Sequence, residues 1–439
     1  DVRKGPVLRA GVDDMQEGRI RLKLRNIQKN KRFFHNKALH LWAIEHDTVE
    51  SSFGNLYYSI FSILTATERR RQLLLGQRKP ERDSSILPFG EYGTFNTLVT
   101  KAIQAKDYFI LIGPPGTGKT SFGLMNILRE SLLQSKGHVL LMSYTNRAVD
   151  EMCSKLTEAK LDFIRIGSSQ TCQKDYRSYL FDEKISKCEK LDEVKELMEK
   201  NRIYVGTTAT ISSRHELFAL LSFDTAIVDE ASQILEPHLL GILCAKHKGE
   251  DAVRKFIMIG DHKQLPAVVV QTEEQSQVTS ERLHAIGLTN CRNSLFERLM
   301  HNCDAVHTSA FLTRQGRMHP AIGTFASSLF YDGTLVPVPV QHQTEPLPYT
   351  QYSEDEEFVA TTRFGFVDIP LPSVTERQPK LNQIEAQTIA GIVAKIMSVN
   401  AKNNIEFDPS RHLGIIVPFR RQIAAVRTAL ASVPSLRPF

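Results

Sequence analysis

The stretch Leu111-Ile-Gly-Pro-Pro-Gly-Thr-Gly-Lys-Thr120 constrains this chain more than any other. It sets Gly113, Gly118, Lys119 and Thr120 in the spacing G-x-x-x-x-G-K-[ST], after the apolar run Tyr108–Ile112 and before a helix-compatible segment at 121–133. A glycine-rich turn in that setting lets successive backbone N–H groups converge on phosphate oxygens, and the start of the following helix adds partial positive charge. Lys119 has the reach for β- and γ-phosphates, and the Thr120 hydroxyl offers a hard oxygen to magnesium. The expected cradle is Gly113, Pro114, Pro115, Gly116, Thr117, Gly118, Lys119, Thr120 and Ser121. Without the flanking strand and helix the same residues would be an ordinary turn.

At 439 residues the chain has room for two or three domains with sizeable cores. It holds no long uncharged apolar run, so no transmembrane helix and no membrane partner are expected, and the charged residues 1–14 do not resemble a signal peptide. Cys153, Cys172, Cys188, Cys244, Cys291 and Cys303 are scattered without C-x-x-C spacing, which argues against zinc and against a disulfide framework. A reducing intracellular setting, cytoplasmic or nuclear, is the corresponding expectation. A formal charge of +6 is mild for this length, so a polyanion partner must be argued from where the charge lies.

Arg19, Arg21, Lys23, Arg25, Lys29, Lys31, Arg32 and Lys37 form a basic run without an acid. Its start alternates Ile20, Leu22 and Leu24 with cations, a strand that is either a solvated edge or a phosphate contact. Phe53, Leu56, Tyr57, Ile60, Phe61 and Leu64 recur at helical spacing, which predicts a helix bracing the core by that face. Breakers at 83–92 suggest a boundary. Strands expected at 139–143, 203–206, 226–228 and 256–259 alternate with helices, a parallel-sheet rhythm with ligands at the carboxyl ends. A charged helical segment occupies 170–201 and an exposed loop 336–357. A second α/β set then follows at 364–369, 383–397, 413–417 and 422–430.

Ala226-Ile-Val-Asp-Glu-Ala-Ser-Gln233 places Asp229 and Glu230 after an apolar strand. In phosphoryl transfer the first acid would hold the magnesium shell with Thr120, and the second would orient and deprotonate water. Ile259-Gly-Asp-His-Lys-Gln-Leu-Pro266 and Leu312-Thr-Arg-Gln-Gly-Arg-Met-His-Pro320 follow. Together, in this order, the four stretches closely resemble motifs I, II, III and IIIa of superfamily 1B helicases. The branch they are most similar to is the nonsense-mediated-decay (Upf-like) type, which also includes replication nuclease-helicases. Asn293-Ser-Leu-Phe-Glu-Arg-Leu299 and Phe330-Tyr-Asp-Gly are likewise similar to it.

The resemblance implies an α/β fold of two RecA-like P-loop NTPase domains with parallel sheets, plus an N-terminal accessory strand, stalk helices and a small helical insertion. The corresponding division is residues 1–86 as accessory barrel remnant and stalk, 87–305 as the first RecA-like domain with its insertion at about 151–201, and 306–439 as a second, incomplete one. It implies ATP and Mg²⁺ as cofactors. Lys119, Asp229, Glu230, Gln264 and Arg317 would be the catalytic set, Gln264 sensing the γ-phosphate and Arg317 acting as an arginine finger. Ser143-Tyr-Thr-Asn-Arg-Ala-Val149 resembles motif Ia, Val205-Gly-Thr-Thr-Ala-Thr210 motif Ic, and Ile415-Ile-Val-Pro-Phe-Arg-Arg-Gln422 motif IV. Contacts to single-stranded RNA or DNA would therefore fall at Ser143, Thr145, Asn146, Val149, Thr207, Thr208, Pro418 and Phe419. Turn capping by Ser, Thr and Asn is the plainer account of several of these.

Three departures stand out. The aromatic that stacks on adenine in the family is Gly316 here, and the adenine-reading glutamine falls in register at Asn96, a shorter carboxamide. Motifs V and VI are not found, and the chain starts without Met, as an incomplete sequence would. The implied activity is an ATP-dependent helicase or translocase moving 5′ to 3′, possessing protein partners if it works in a larger complex. The alternative is an ATP-gated clamp or remodelling ATPase that grips without unwinding.

Overall fold

The computed structural model describes residue 8 and residues 10–16, 19–24, 50–302, 306–369 and 380–433. Arg25, Lys29, Lys31, Arg32, Lys37 and Cys303 lie outside the described residues. At the N-terminus β1 (Ala10–Gln16) and β2 (Arg19–Leu24) pair antiparallel, so the alternating basic stretch is a strand.

The central element is a sheet of β3 (Tyr108–Ile112), β4 (His138–Ser143), β5 (Ile164–Ile166), β6 (Ile203–Thr207), β7 (Phe223–Val228), β8 (Val253–Gly260) and β9 (Ser309–Phe311). Its seven strands run in the order β9-β3-β8-β7-β4-β6-β5, and every neighbouring pair is parallel. Tyr108, Ile110, Leu140 and Met142 pack into the core on one face, and Phe109, Leu111, Leu141 and Val205 into the core on the other. Helices cover both faces, which is why these strands read as continuous apolar runs rather than alternating ones. Strand β9 pairs with β3 from Ser309↔Ile110 to Phe311↔Ile112, so the first sheet takes its edge from beyond residue 305.

Helix α1 (Glu50–Thr65) forms where expected but presents the opposite face. Phe53, Tyr57, Ile60, Phe61 and Leu64 are exposed, while Ser59 and Ser62 are buried. The reason is close approach: Ser59 Oγ accepts the Gly241 N–H, Ser62 Oγ donates to Leu240 O at 3.3 Å, and a Cβ on Gly241 would stand 2.8 Å from Ser59 Oγ. Small residues bring α1 onto the helix Pro237–Leu243 and leave Phe53, Tyr57, Ile60, Phe61 and Leu64 outside, while Ile63 packs against the core. Helix α2 (Glu68–Leu74) is anchored by Arg70, 2% exposed, which bonds Asp251 and the carbonyls of Val253 and Arg254.

Within the expected insertion at 151–201, β5 and most of the helix Asn146–Glu158 belong to the main layers, and only the short helices Phe181–Ile185 and Leu191–Lys200 with their loops stand outside the sheet. In the second half, helices Gln383–Lys402 and Arg420–Ser432 pack through Ala390, Val393, Val426 and Leu430. The strands expected at 364–369 and 413–417 do not form. Neither stretch has a ladder partner among the described residues, and Leu413 and Ile415 instead lie half-buried against the helix pair.

Candidate nucleotide site and strand face

The phosphate loop begins where β3 ends. Gly113 N–H donates to Gly260 O at the end of β8 (3.0 Å), and Thr117 Oγ1 donates to Pro114 O (2.7 Å), closing the turn internally. Gly116 and Gly118 sit at φ 76° and 79°, left-handed values that glycine adopts without strain. Pro114 is buried, Pro115 half-buried and Ser121 exposed. Lys119, 8% exposed, opens a π-helical turn at Lys119–Leu124, with the N–H groups of Phe122 and Gly123 both on Gly118 O at 2.9 Å. The α-helix expected from residue 121 starts only at Met125. Such π turns recur at functional sites.

Asp229 follows β7, 2% exposed, its N–H held by Met142 O at 2.8 Å. Its Oδ2 accepts the Thr120 hydroxyl at 2.6 Å and its Oδ1 the Glu230 N–H at 3.0 Å. Burial pushes this carboxyl up to about 6, opposed by the Thr120 hydrogen bond and reinforced by the charge of Glu230. Glu230 occupies φ 52°, strained for a residue with a Cβ, and its Oε1 stands 3.6 Å from Lys119 Nζ. Magnesium fits the donor set: neighbouring ligand oxygens of its octahedron lie about 3.0 Å apart, a few tenths beyond the present Thr120–Asp229 spacing.

Arg317 closes on the loop from another segment, and Gln264 lies on the stretch that follows β8. Gly316 N–H donates to Gly116 O at 2.9 Å, and a Cβ on Gly116 would stand 2.4 Å from Arg317 Cβ, so the arginine rises directly over the loop's central glycine. Arg317 itself is exposed and its N–H is held by Gln315 Oε1 at 3.0 Å. Gln264 donates from Nε2 to Asp261 Oδ2 at 2.8 Å. Asn96 opens helix Asn96–Gln104 and is exposed, with Oδ1 already accepting Tyr92 N–H at 2.5 Å. The space around Gly316 is open, with no heavy atom within 4 Å of a Cβ there. Sequence reading missed the exposed Phe122 beside the loop, stacked on Phe95 at 5.8 Å between centroids. Its signal was an aromatic two residues past Thr120.

The expected strand contacts divide sharply. Thr145 and Asn146 are exposed at the carboxyl end of β4, although Thr145 also caps its helix by accepting Ala148 N–H at 3.2 Å. Pro418 and Phe419 are exposed, with Lys380 Nζ 5.5 Å over the Phe419 ring. Ser143, Thr208 and Val149 turn inward at 1%, 0% and 0% exposure, so their side chains have no surface to offer a ligand. Val149 is a core residue because it lies on the inner face of an amphipathic helix. Thr207 is buried and caps the next helix through Thr210 N–H at 3.2 Å. Tyr144, in the same segment as Thr145 and Asn146, is 42% exposed and edge-on to His238 at 5.9 Å.

This geometry, phosphate loop and acid pair at the carboxyl ends of parallel strands, is that of a P-loop nucleoside triphosphatase. Two models, both described as AAA domain, match the chain, one at residues 96–203 and 183–272 and the other at 291–436. The chain is 29% identical over 420 residues to the DNA replication ATP-dependent helicase/nuclease DNA2 of Bos taurus, covering 87% of this chain and 36% of that protein. With the Gallus gallus protein of the same name it shares 31% over 312 residues, 66% of this chain and 29% of the other. With the DNA replication ATP-dependent helicase/nuclease JHS1 of Arabidopsis thaliana it shares 26% over 419 residues, 91% and 29%. Over much of its own length the chain is similar to these helicase/nucleases, and it spans about a third of the length of these relatives. Among the described residues no helix is long and apolar enough to cross a membrane.

Proposed function

We propose that this chain is the MgATP-driven motor of a helicase acting on single-stranded DNA, of the replication helicase/nuclease branch rather than the nonsense-mediated-decay one. The relatives' names support that branch, and the motifs support 5′-to-3′ movement by resemblance. The observation that carries the proposal is the convergence on one loop of Thr120–Asp229, Lys119–Glu230 and Arg317 over Gly116. We further propose that the first RecA-like unit runs from about residue 87 through Phe311, since β9 completes its sheet, and that the second begins at Leu312.

In this reading the backbone of residues 113–121 and Lys119 bind the triphosphate, and Thr120 and Asp229 would hold a magnesium ion, which would supply charge neutralisation to the phosphates. Glu230 orients the attacking water and takes its proton. Lys119 already faces Glu230, its Nζ 3.6 Å from Oε1. Gln264 and Arg317 stabilise charge on the transferred group, and Arg317, coming from the second unit, makes hydrolysis depend on closure between the two. Thr145, Asn146 and the exposed Tyr144 then grip the strand on one unit, Pro418 and Phe419 on the other.

The test is ATPase turnover of this chain with and without single-stranded DNA or RNA, alongside Glu230→Gln. Stimulation by DNA, abolished in the variant with nucleotide binding retained, is expected. A loss of about 10²- to 10⁴-fold is the range for a removed general base. Turnover unaffected by either polymer would sink the proposal, and stimulation by RNA alone would overturn the choice of DNA.

A further inference from the structure

Asp261 is the one acid of the motif III stretch and is 0% exposed. Its N–H donates to Ser232 Oγ at 3.1 Å, which ties it to the segment carrying Asp229 and Glu230. Its Oδ1 accepts Lys263 N–H at 3.0 Å, and its Oδ2 accepts both Gln264 Nε2 at 2.8 Å and the Tyr331 hydroxyl at 2.7 Å. Tyr331 is 6% exposed and comes from the far end of the helix Pro320–Phe330, which starts three residues after Arg317. One carboxylate oxygen thus receives a donor from each half of the site. A carboxylate oxygen has room for about two such donors, so Oδ2 is filled. In a dry setting these charge-assisted bonds are short and directional.

We propose that Tyr331 is a positioning residue of the triphosphatase centre: through Asp261 it fixes the Gln264 carboxamide, and it locks the helix that follows Arg317 to the segment that bears Gln264. The inference rests on the ATPase reading above. At its near end the same helix is preceded by the Gly316–Gly116 hydrogen bond, so Arg317 and Gln264 are held in one frame from both sides. Removing the hydroxyl leaves Gln264 with its bond to Asp261 but frees Asp261 and the helix to shift relative to one another. A misplacement of some tenths of an ångström at the reacting groups costs turnover rather than binding, because the phosphate cradle at 113–121 shares no bond with Tyr331.

The experiment measures DNA-stimulated ATPase kinetics of this chain as wild type, Tyr331→Phe, Gln264→Ala, the double variant and Ser327→Ala. Ser327 Oγ bonds both Leu335 N and Leu335 O, so its loss loosens the same helix end without touching Asp261. The expected result is a kcat about tenfold lower in Tyr331→Phe with KM for ATP within twofold, in line with the loss of one buried charge-assisted bond. The double variant should lose less than the product of the two single losses, and Ser327→Ala should keep kcat. Wild-type kcat in Tyr331→Phe, multiplicative losses in the double variant, or an equal kcat loss in Ser327→Ala each overturns the clasp while the ATPase reading stands. A wild type without DNA-stimulated turnover overturns both.

Discussion

Replacing Gly116 by alanine separates the two halves of the proposed site without removing a functional group. Two costs can be worked out. A Cβ at φ 76° brings left-handed strain of about 1–2 kcal/mol. The new Cβ would also stand 2.4 Å from Arg317 Cβ, against an ordinary contact of about 3.5–4.0 Å, so one of the two segments must retreat by about 1 Å or more. The loop is held at both ends by Gly113–Gly260 and by the π-helical turn, whereas the Arg317 segment is tied to it by the Gly316 N–H at 2.9 Å; the arginine is what moves. A displacement of about 1 Å at a catalytic group costs roughly 10²-fold in rate. DNA-stimulated kcat should fall by about that factor while a fluorescent ATP analogue binds within a few-fold of wild type, since Lys119 and Thr120 are untouched. The Gly116→Ala/Arg317→Ala pair should be no slower than Arg317→Ala alone. Multiplying losses, or a Gly116→Ala enzyme with wild-type kcat, would refute the reasoning.

Two stability predictions follow from ion pairs. Arg298, 2% exposed, bonds Glu236 through two nitrogens and caps the Leu74 carbonyl at 2.7 Å, so Arg298→Ala strands a half-buried carboxylate and should cost about 3–5 kcal/mol in a denaturant titration followed by circular dichroism. Glu236→Gln/Arg298→Met should recover a large part of that loss; a single variant within 1 kcal/mol of wild type would contradict the account. Glu356 is pulled down to about 2, first by its Lys402 hydrogen bond at 2.6 Å and then by Ser398 and Ser353. A carboxyl lowered on folding contributes stability above its unfolded value of 4.5 and loses it as pH falls toward 2. The melting temperature of wild type should therefore drop more steeply than that of Glu356→Gln between pH 5 and pH 2, and parallel curves would contradict the assignment.

Phosphate chemistry was legible because it depends on backbone geometry that leaves a mark in the sequence. Gly113, Gly116 and Gly118 are needed for close approach or positive φ, and Asp229 follows an apolar strand whose end it must occupy. Strand contacts were less legible because Ser143, Thr207 and Thr208 have the same residue types whether they cap a helix, fill a gap or face a ligand. At Val149 the motif names a segment, but helical periodicity alone would have put its side chain inside. The edge strand Ser309–Phe311 escaped because three residues carry no period. Residues 413–417 show the converse: an apolar run satisfies strand propensity but cannot supply the neighbour that makes it a strand.

Helix α1 exposes the deeper reason that patterns can name an element and still mislead about its face. Hydrophobic spacing identifies the stripe that would gain most from burial, yet what decides docking is the sum over both surfaces in contact. Against the helix Pro237–Leu243 the partner surface offers Gly241, where a Cβ would already be in collision with Ser59. A Phe53–Phe61 face could not approach there, while Ser59 and Ser62 can, and each gains a hydrogen bond to main chain in doing so. The same logic governs the site itself. Gly116 has no side chain to recognise anything, and its importance lies in what it allows Arg317 to reach. Complementarity between segments distant in sequence, about 200 residues apart in that pair, is a property no local pattern carries.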